Sequence, residues 1–160
     1  MGFIFCECSS LKELNLNNFN TNKVTNMRCM FSFCSSLKEL NLKNFKTNKV
    51  KNMSFMFYEC STLKSLNLNN FNTNKVNNMR CMFSFCSSLK ELNINHFNTD
   101  NVTDMSSMFA GCQLLKEILN LNNLNTNKVT DMSHMFKKCS EKLTMKVRAQ
   151  KGKFHNNVFN

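Results

Sequence analysis

Cys8-Ser9-Ser10-Leu11-Lys12-Glu13-Leu14-Asn15-Leu16-Asn17-Asn18-Phe19-Asn20-Thr21-Asn22-Lys23-Val24-Thr25-Asn26-Met27-Arg28-Cys29-Met30-Phe31 is a phrase that returns, with small changes, along the whole chain. Cys8, Cys34, Cys60, Cys86 and Cys112 lie 26 residues apart, and Cys139 follows after 27. Internal repetition at such a period decides the architecture before any single motif does. Thr21, Thr47, Thr73, Thr99 and Thr126 hold one phase, and Val24, Val50, Val76, Val102 and Val129 another. Met27, Met53, Met79, Met105 and Met132 recur likewise, as do Phe31, Phe57, Phe83, Phe109 and Phe136. Residues 15–41 and 67–93 differ only at Thr25 and Asn77, so a double copy has itself been duplicated.

Each phrase carries two periods. Leu14-Asn15-Leu16-Asn17 alternates apolar and polar, the mark of a short strand with one buried face. Val24, Met27, Met30, Phe31 and Cys34 recur at three- and four-residue steps, which predicts a short helix over 24–33. Thr21 or Asn22 is its expected N-cap, and Gly111 suits a helix end of positive φ. One phrase alone has no second layer to bury its apolar side chains, and stacking supplies that layer. The expected fold is therefore an α/β repeat: a right-handed β/α solenoid, leucine-rich-repeat-like, of about 26 residues per coil. Its parallel strands are predicted at 13–17, 39–43, 65–69, 91–95 and 118–122, connected by the short helices. The fifth phrase has one extra residue, assigned to Ile118, and a bulge is expected there.

The phrase Leu11-x-x-Leu14-x-Leu16 resembles the opening of a leucine-rich repeat, with Phe19 where Asn or Cys is usual. Phe97-Asn98-Thr99-Asp100-Asn101-Val102-Thr103-Asp104-Met105-Ser106-Ser107-Met108-Phe109-Ala110-Gly111-Cys112 is more specific. It resembles the 26-residue repeat of the BspA-like surface proteins, a family that includes many Mycoplasma-type lipoproteins. The resemblance covers residues 1 to about 139 and implies a surface-displayed solenoid, in several cases linked to adhesion. It also implies a cell-surface or secreted location. The residues themselves supply no signal peptide and no lipid-attachment box, which leaves a cytoplasmic location open.

The expected layout is a solenoid of about five and a half repeats over 1–139, a terminal strand at 140–147, and a basic, frayed tail at 148–160. The chain opens inside a phrase, because Met1 to Cys8 aligns with Met27 to Cys34. A truncated member of a longer surface protein is expected. Phe3, Ile4 and Phe5 would leave that first coil without a polar cap, and end-to-end self-association through it is anticipated.

The 160 residues fit one domain, and no apolar run is long enough to cross a bilayer. Lysine and arginine exceed acids by 21 to 10, giving a net charge of +11. Lys12, Lys38, Lys64, Lys90 and Lys116 form one column, screened by neighbouring Glu13, Glu39, Glu91 and Glu117. Lys23, Lys49, Lys75 and Lys128 form a second. Both read first as solvated faces, with weak, salt-sensitive attachment to an anionic polymer as the alternative.

The chemistry-bearing residue types do not assemble into a reactive set. Nine cysteines lack zinc-ligand spacing, and in-register stacking points their side chains the same way, so they are read as buried filler. His96, His134 and His155 fall in different phases with no recurrent carboxylate or thiol beside them. No glycine-rich phosphate loop exists among 3 glycines. No enzyme, cofactor or metal is expected.

The candidate binding surface is the outward face of the strands. Asn15, Asn41, Asn67, Asn93 and Asn120 should form its central column, and an amide ladder along the stack is one structural use for them. Glu13, Glu39, Ser65 and Glu91 flank one side; Asn17, Lys43, Asn69 and Asn95 flank the other. The expected function is a non-catalytic protein-interaction or adhesion module that binds a protein or glycan through this face. The alternatives are a soluble intracellular or host-directed repeat scaffold and, less favoured, a charge-driven nucleic-acid binder without sequence specificity.

Overall fold

The computed structural model describes residues 1–150, 152–154 and 156–160. Successive copies of the phrase lie side by side, joined in parallel by hydrogen bonds that repeat 25 residues apart. The N–H groups of Met27, Cys29, Phe31 and Phe33 donate to the carbonyls of Asn52, Ser54, Met56 and Tyr58 at 2.7–3.0 Å. Met53, Phe55, Phe57 and Glu59 repeat the pattern onto Asn78, Arg80, Met82 and Ser84. Single parallel bridges link Asn26, Asn52, Asn78, Asp104 and Asp131 into one line.

The predicted helix over 24–33 and its equivalents are instead runs of tight turns. Met30, Ser32 and Cys34 donate three residues back, to Met27, Cys29 and Phe31, closing overlapping turns. Alternate N–H groups are left to reach the next copy, which the i→i−4 bonds of a helix would have consumed. The run is kept from winding up by left-handed residues at two phases of each copy. Cys29, Phe55, Cys81, Ser107 and His134 hold one phase at φ 53–59°. Phe33, Glu59, Phe85, Gly111 and Lys138 hold the other, and Gly111 (φ 73°) is the glycine of that set. Left-handed backbone costs an L-residue about 1–2 kcal/mol, and the inter-copy bonds offset it. Met27, Met30, Phe31 and Cys34 are all fully buried. A turn run thus buries the same three-and-four-step face as a helix, which is why periodicity could not tell them apart.

The core is built from copies of one side chain set against itself. Phe5, Phe31, Phe57, Phe83, Phe109 and Phe136 form a continuous stack with ring centroids 5.5–5.7 Å apart and planes within 12° of parallel. Each such pair contributes about 0.5–1.5 kcal/mol beyond burial. The thiols of Cys34, Cys60, Cys86 and Cys112 are buried and donate to the carbonyls of Phe5, Phe31, Phe57 and Phe83 at 3.1–3.2 Å. Burial pushes the Cys34 thiol up to about 11 and the Cys86 and Cys112 thiols well above their ordinary value. Cys8 and Cys139, at the two ends of the column, are half-buried.

Thr21 and its equivalents, expected as helix caps, are tucked in between copies. The Thr47 hydroxyl donates to the Asn72 carbonyl at 2.9 Å and accepts from the Asn72 N–H at 2.8 Å. Thr21, Thr73 and Thr99 do the same with Lys46, Asn98 and Asn125. One side chain thereby stands in for a rung of backbone pairing.

The strand side is less regular than expected. Regular strands are β1 (Glu91–Asn93) and β2 (Glu117–Leu119), paired in parallel with Leu92 opposite Ile118. Earlier copies keep the alternating burial of an extended chain, with Lys64 donating to Lys38 across one junction. Ile118 is not the extra residue: it is buried in the register of Leu92. The insertion is taken up just after it, where Leu119 is exposed and Asn120 turns left-handed (φ 63°) into a single 3-10 turn. Leu121 then regains the buried phase of Ile94.

The expected strand at 140–147 is a helix, α1 (Glu141–Arg148). Ser140 caps it, accepting from the Leu143 N–H, and Glu141 and Arg148 suit the two ends of its dipole. Leu143 and Val147 are buried, so an amphipathic helix covers the last copy. Of the tail expected to fray, Lys151 and His155 lie outside the described residues. The rest packs: Phe136 donates to the Val158 carbonyl at 2.7 Å, Val158 is buried, and Phe154 and Phe159 close on the Phe136 ring. At the other end, Phe3 and Ile4 are exposed, while Phe5 stacks on Phe31.

Candidate functional site

Alternation decides which side chains face outward. Leu16, Leu42, Leu68, Leu92 and Ile94 turn inward and are buried. Their neighbours Glu13, Asn15, Asn17, Glu39, Asn41 and Lys43 are exposed, as are Ser65, Asn67, Asn69, Glu91, Asn93 and Asn95. The structure therefore brings the predicted residues to one face. Asn120 does not join them, because the insertion puts Leu119 opposite Asn93 and moves Asn120 into the following turn.

The asparagine column does not form the anticipated ladder. Each amide bonds its own chain: Oδ1 of Asn15, Asn41, Asn67 and Asn93 accepts from the N–H two residues on, at 2.9–3.1 Å. These are Asx turns, which bend the chain out of the strand. Asn20, Asn26, Asn72 and Asn78 make the same local bond elsewhere in the phrase, with Asp104 and Asp131 as carboxylate versions. Much of the high asparagine content is thus explained by turn geometry. The amides that cross between copies stand elsewhere: Asn44 Nδ2 donates to the Asn17 carbonyl at 3.1 Å, and Asn70 Nδ2 to Leu42 and Phe45 at 3.0 and 2.8 Å. The recurrent Asn before Phe19, Phe45 and Phe71 was the signal for this, and it passes unnoticed among so many asparagines.

The face is grooved between copies. One open depression of about 500 Å³ is lined by Lys12, Glu13, Leu14, Lys38, Glu39 and Asn41. Another, of about 320 Å³, has Ser65, Asn67, Glu91 and Asn93 around Leu66, Leu92 and Leu119. Aliphatic floors with amide and carboxylate rims suit an extended polar ligand laid across several copies. The expected screening of the lysine column by the glutamates is not direct pairing. Among the described residues the ion pairs are Lys146–Glu117 at 2.5 Å and the long Arg80–Asp131 contact at 3.9 Å. Lys146 of α1 holds the Glu117 carboxyl below its usual range by hydrogen bond and charge, which neutralises one end of the acidic column. Among the described residues no three His, Cys, Asp or Glu side chains are grouped to hold a metal ion. His96 is exposed, and His134 Nδ1 meets the Asn160 carbonyl.

Stacked copies of one phrase with an exposed polar face define a tandem-repeat protein. The chain belongs to the family described as Mycoplasma protein of unknown function, DUF285, which matches residues 1–92 and again 63–156. The two overlapping matches together span nearly all of it. No curated protein and no solved structure matches the chain. No helix among the described residues is long and apolar enough to cross a membrane.

Proposed function

We propose that the copies are the coils of a right-handed, leucine-rich-repeat-like solenoid of the BspA-like kind, with tight turns in place of short helices. It acts as a non-catalytic interaction or adhesion module of a cell-surface or secreted protein. The observation that carries this reading is the grooved strand-side face on which twelve predicted side chains are exposed together. Such a face takes a protein or glycan through many weak contacts, about 0.5–1.5 kcal/mol per neutral hydrogen bond, so affinity accumulates with copy number.

The test is binding of the fluorescently labelled chain to a glycan array and to an array of extracellular matrix proteins. Asn41→Asp with Asn67→Asp should abolish the captured signal, with mild salt dependence in the parent. Retention of that signal in the double variant, or no captured ligand on either array, overturns the proposal.

A further inference from the structure

The edge of the turn side, outside the lining of the grooved face, has a different chemistry in the first half of the chain. Lys23, Lys49 and Lys75 occupy one phase of three successive copies and are all exposed. The copies are in register there, since Lys51 donates to the Thr25 carbonyl at 2.8 Å and Asn77 to the Lys51 carbonyl at 2.9 Å. Lys46, Lys51, Arg28 and Arg80 fall in the same segments, 20–30, 46–56 and 72–82, which hold no acid. The next two copies lose this excess: segment 98–108 holds Asp100 and Asp104 and no Lys or Arg, and in 125–135 Asp131 balances Lys128. Among the described residues, Arg80 alone of the seven cations meets a carboxylate, Asp131 at 3.9 Å.

This basic edge runs without a break into aromatic surface. The Arg28 guanidinium lies 4.8 Å from the Phe55 ring centroid, and Phe55 is 5.6 Å from Tyr58. Tyr58 is flanked edge-on by Phe33 and Phe85 at 5.2 and 5.8 Å. Phe33 and Phe85 are 37% and 42% exposed, unusual for phenylalanine in a chain that buries its repeat-phase rings completely. Both also sit at positive φ, where Gly111 stands three copies and one copy further on. The turn run requires positive φ at this phase in every copy, and Phe33 and Phe85 fill it with bulky, water-facing rings where Gly111 has no side chain. The one acid at this aromatic cluster is Glu59, the residue after Tyr58.

We propose that this basic and aromatic edge of the first three copies binds single-stranded nucleic acid without sequence preference. A column of cations follows a phosphate backbone, and exposed rings accept unpaired bases on their faces and edges. An acidic polysaccharide would use the charges but carries no flat π-face to stack on the rings. The site is separate from the grooved face and stands or falls independently of it.

The experiment is anisotropy of a labelled oligothymidylate of about twenty nucleotides, titrated with the full chain from about 50 to about 200 mM salt. Heparin and anionic lipid vesicles serve as the competing polyanions. Binding should fall with salt at about 0.7 of a log unit per phosphate neutralised. Lys49→Gln, Lys51→Gln and Lys75→Gln together should weaken it at least tenfold and flatten the salt slope by about 2. Phe33→Asn with Phe85→Asn should weaken it severalfold with the slope unchanged, asparagine being tolerant of positive φ. Asn41→Asp with Asn67→Asp, on the other face, should leave it nearly unchanged. No oligonucleotide binding at the lowest salt overturns the proposal. So do heparin or vesicles binding while the oligonucleotide does not, or an aromatic double variant that keeps its circular dichroism and parental affinity.

Discussion

The two long sides of each copy solve the same stacking problem by different means. On the turn side, every second N–H from Met27 to Phe33 reaches the next copy, and the N–H groups between them close local turns. On the strand side, regular pairing is confined to β1 and β2, and the asparagine amides bond their own chain. The turn side therefore holds the stack together, while the strand side presents side chains to solvent with little invested in pairing. A surface freed from cohesion is free to vary its side chains, and the candidate binding face lies there.

The sharpest way to break this contrast is to empty the turn-side stack. Phe83 is fully buried between Phe57 and Phe109. Phe83→Ala should cost about 3–5 kcal/mol, whereas Asn67→Ala, which removes one exposed Asx bond, should cost less than about 1 kcal/mol. Urea denaturation midpoints compare them directly. Equal losses would mean that cohesion is shared between the sides.

Thr73 sits where the two sides meet, and its hydroxyl both donates to and accepts from Asn98. Thr73→Val keeps the shape and leaves the half-buried N–H and carbonyl of Asn98 without partners, at about 1–2 kcal/mol. Hydrogen exchange of the Asn98 amide should accelerate more than that of residues in β1. A change spread evenly over the chain would show that the threonine is not a local joint.

The smallest effects test the left-handed positions. Ser107, at φ 55°, should gain about 1 kcal/mol on replacement by glycine. Gly111→Ala should lose a similar amount or more, because the new Cβ would lie 2.5 Å from the Phe85 ring on a backbone at φ 73°. Thermal melting of the two variants should move in opposite directions. Movement in the same direction would show that strain at these phases is not what the inter-copy bonds offset.

How much of this the residues disclose depends on which interaction a pattern encodes. The 26-residue period, the buried Leu, Met, Phe and Cys columns and the outward face are legible because burial is written directly in side-chain type. The helix over 24–33 is misread because three- and four-residue spacing records a face, and the hydrogen bonds that choose helix or turns leave no trace in it. Nothing in Cys29 or Phe33 as residue types announces a positive φ; Gly111 does, and it suggests a helix end as readily as a turn run. The terminal helix was hidden the same way, since Leu143, Met145 and Val147 alternate like a strand while the buried pair, Leu143 and Val147, is four apart. The asparagine ladder failed through excess: with 29 asparagines, those that cross between copies cannot be picked from those that bend the chain.

The near-constant spacing of the Phe5 to Phe136 rings means that the interior ring contact is the same at every junction between copies. Removing or adding one 26-residue copy would join surfaces that already know how to meet, so no compensating substitution is required. Length is then a variable that slipped or unequal recombination can change in one step, as the near-identity of residues 15–41 and 67–93 records. A chain of this kind can lengthen its reach, or shift which surface residues stand beside one another, while its interior chemistry stays fixed.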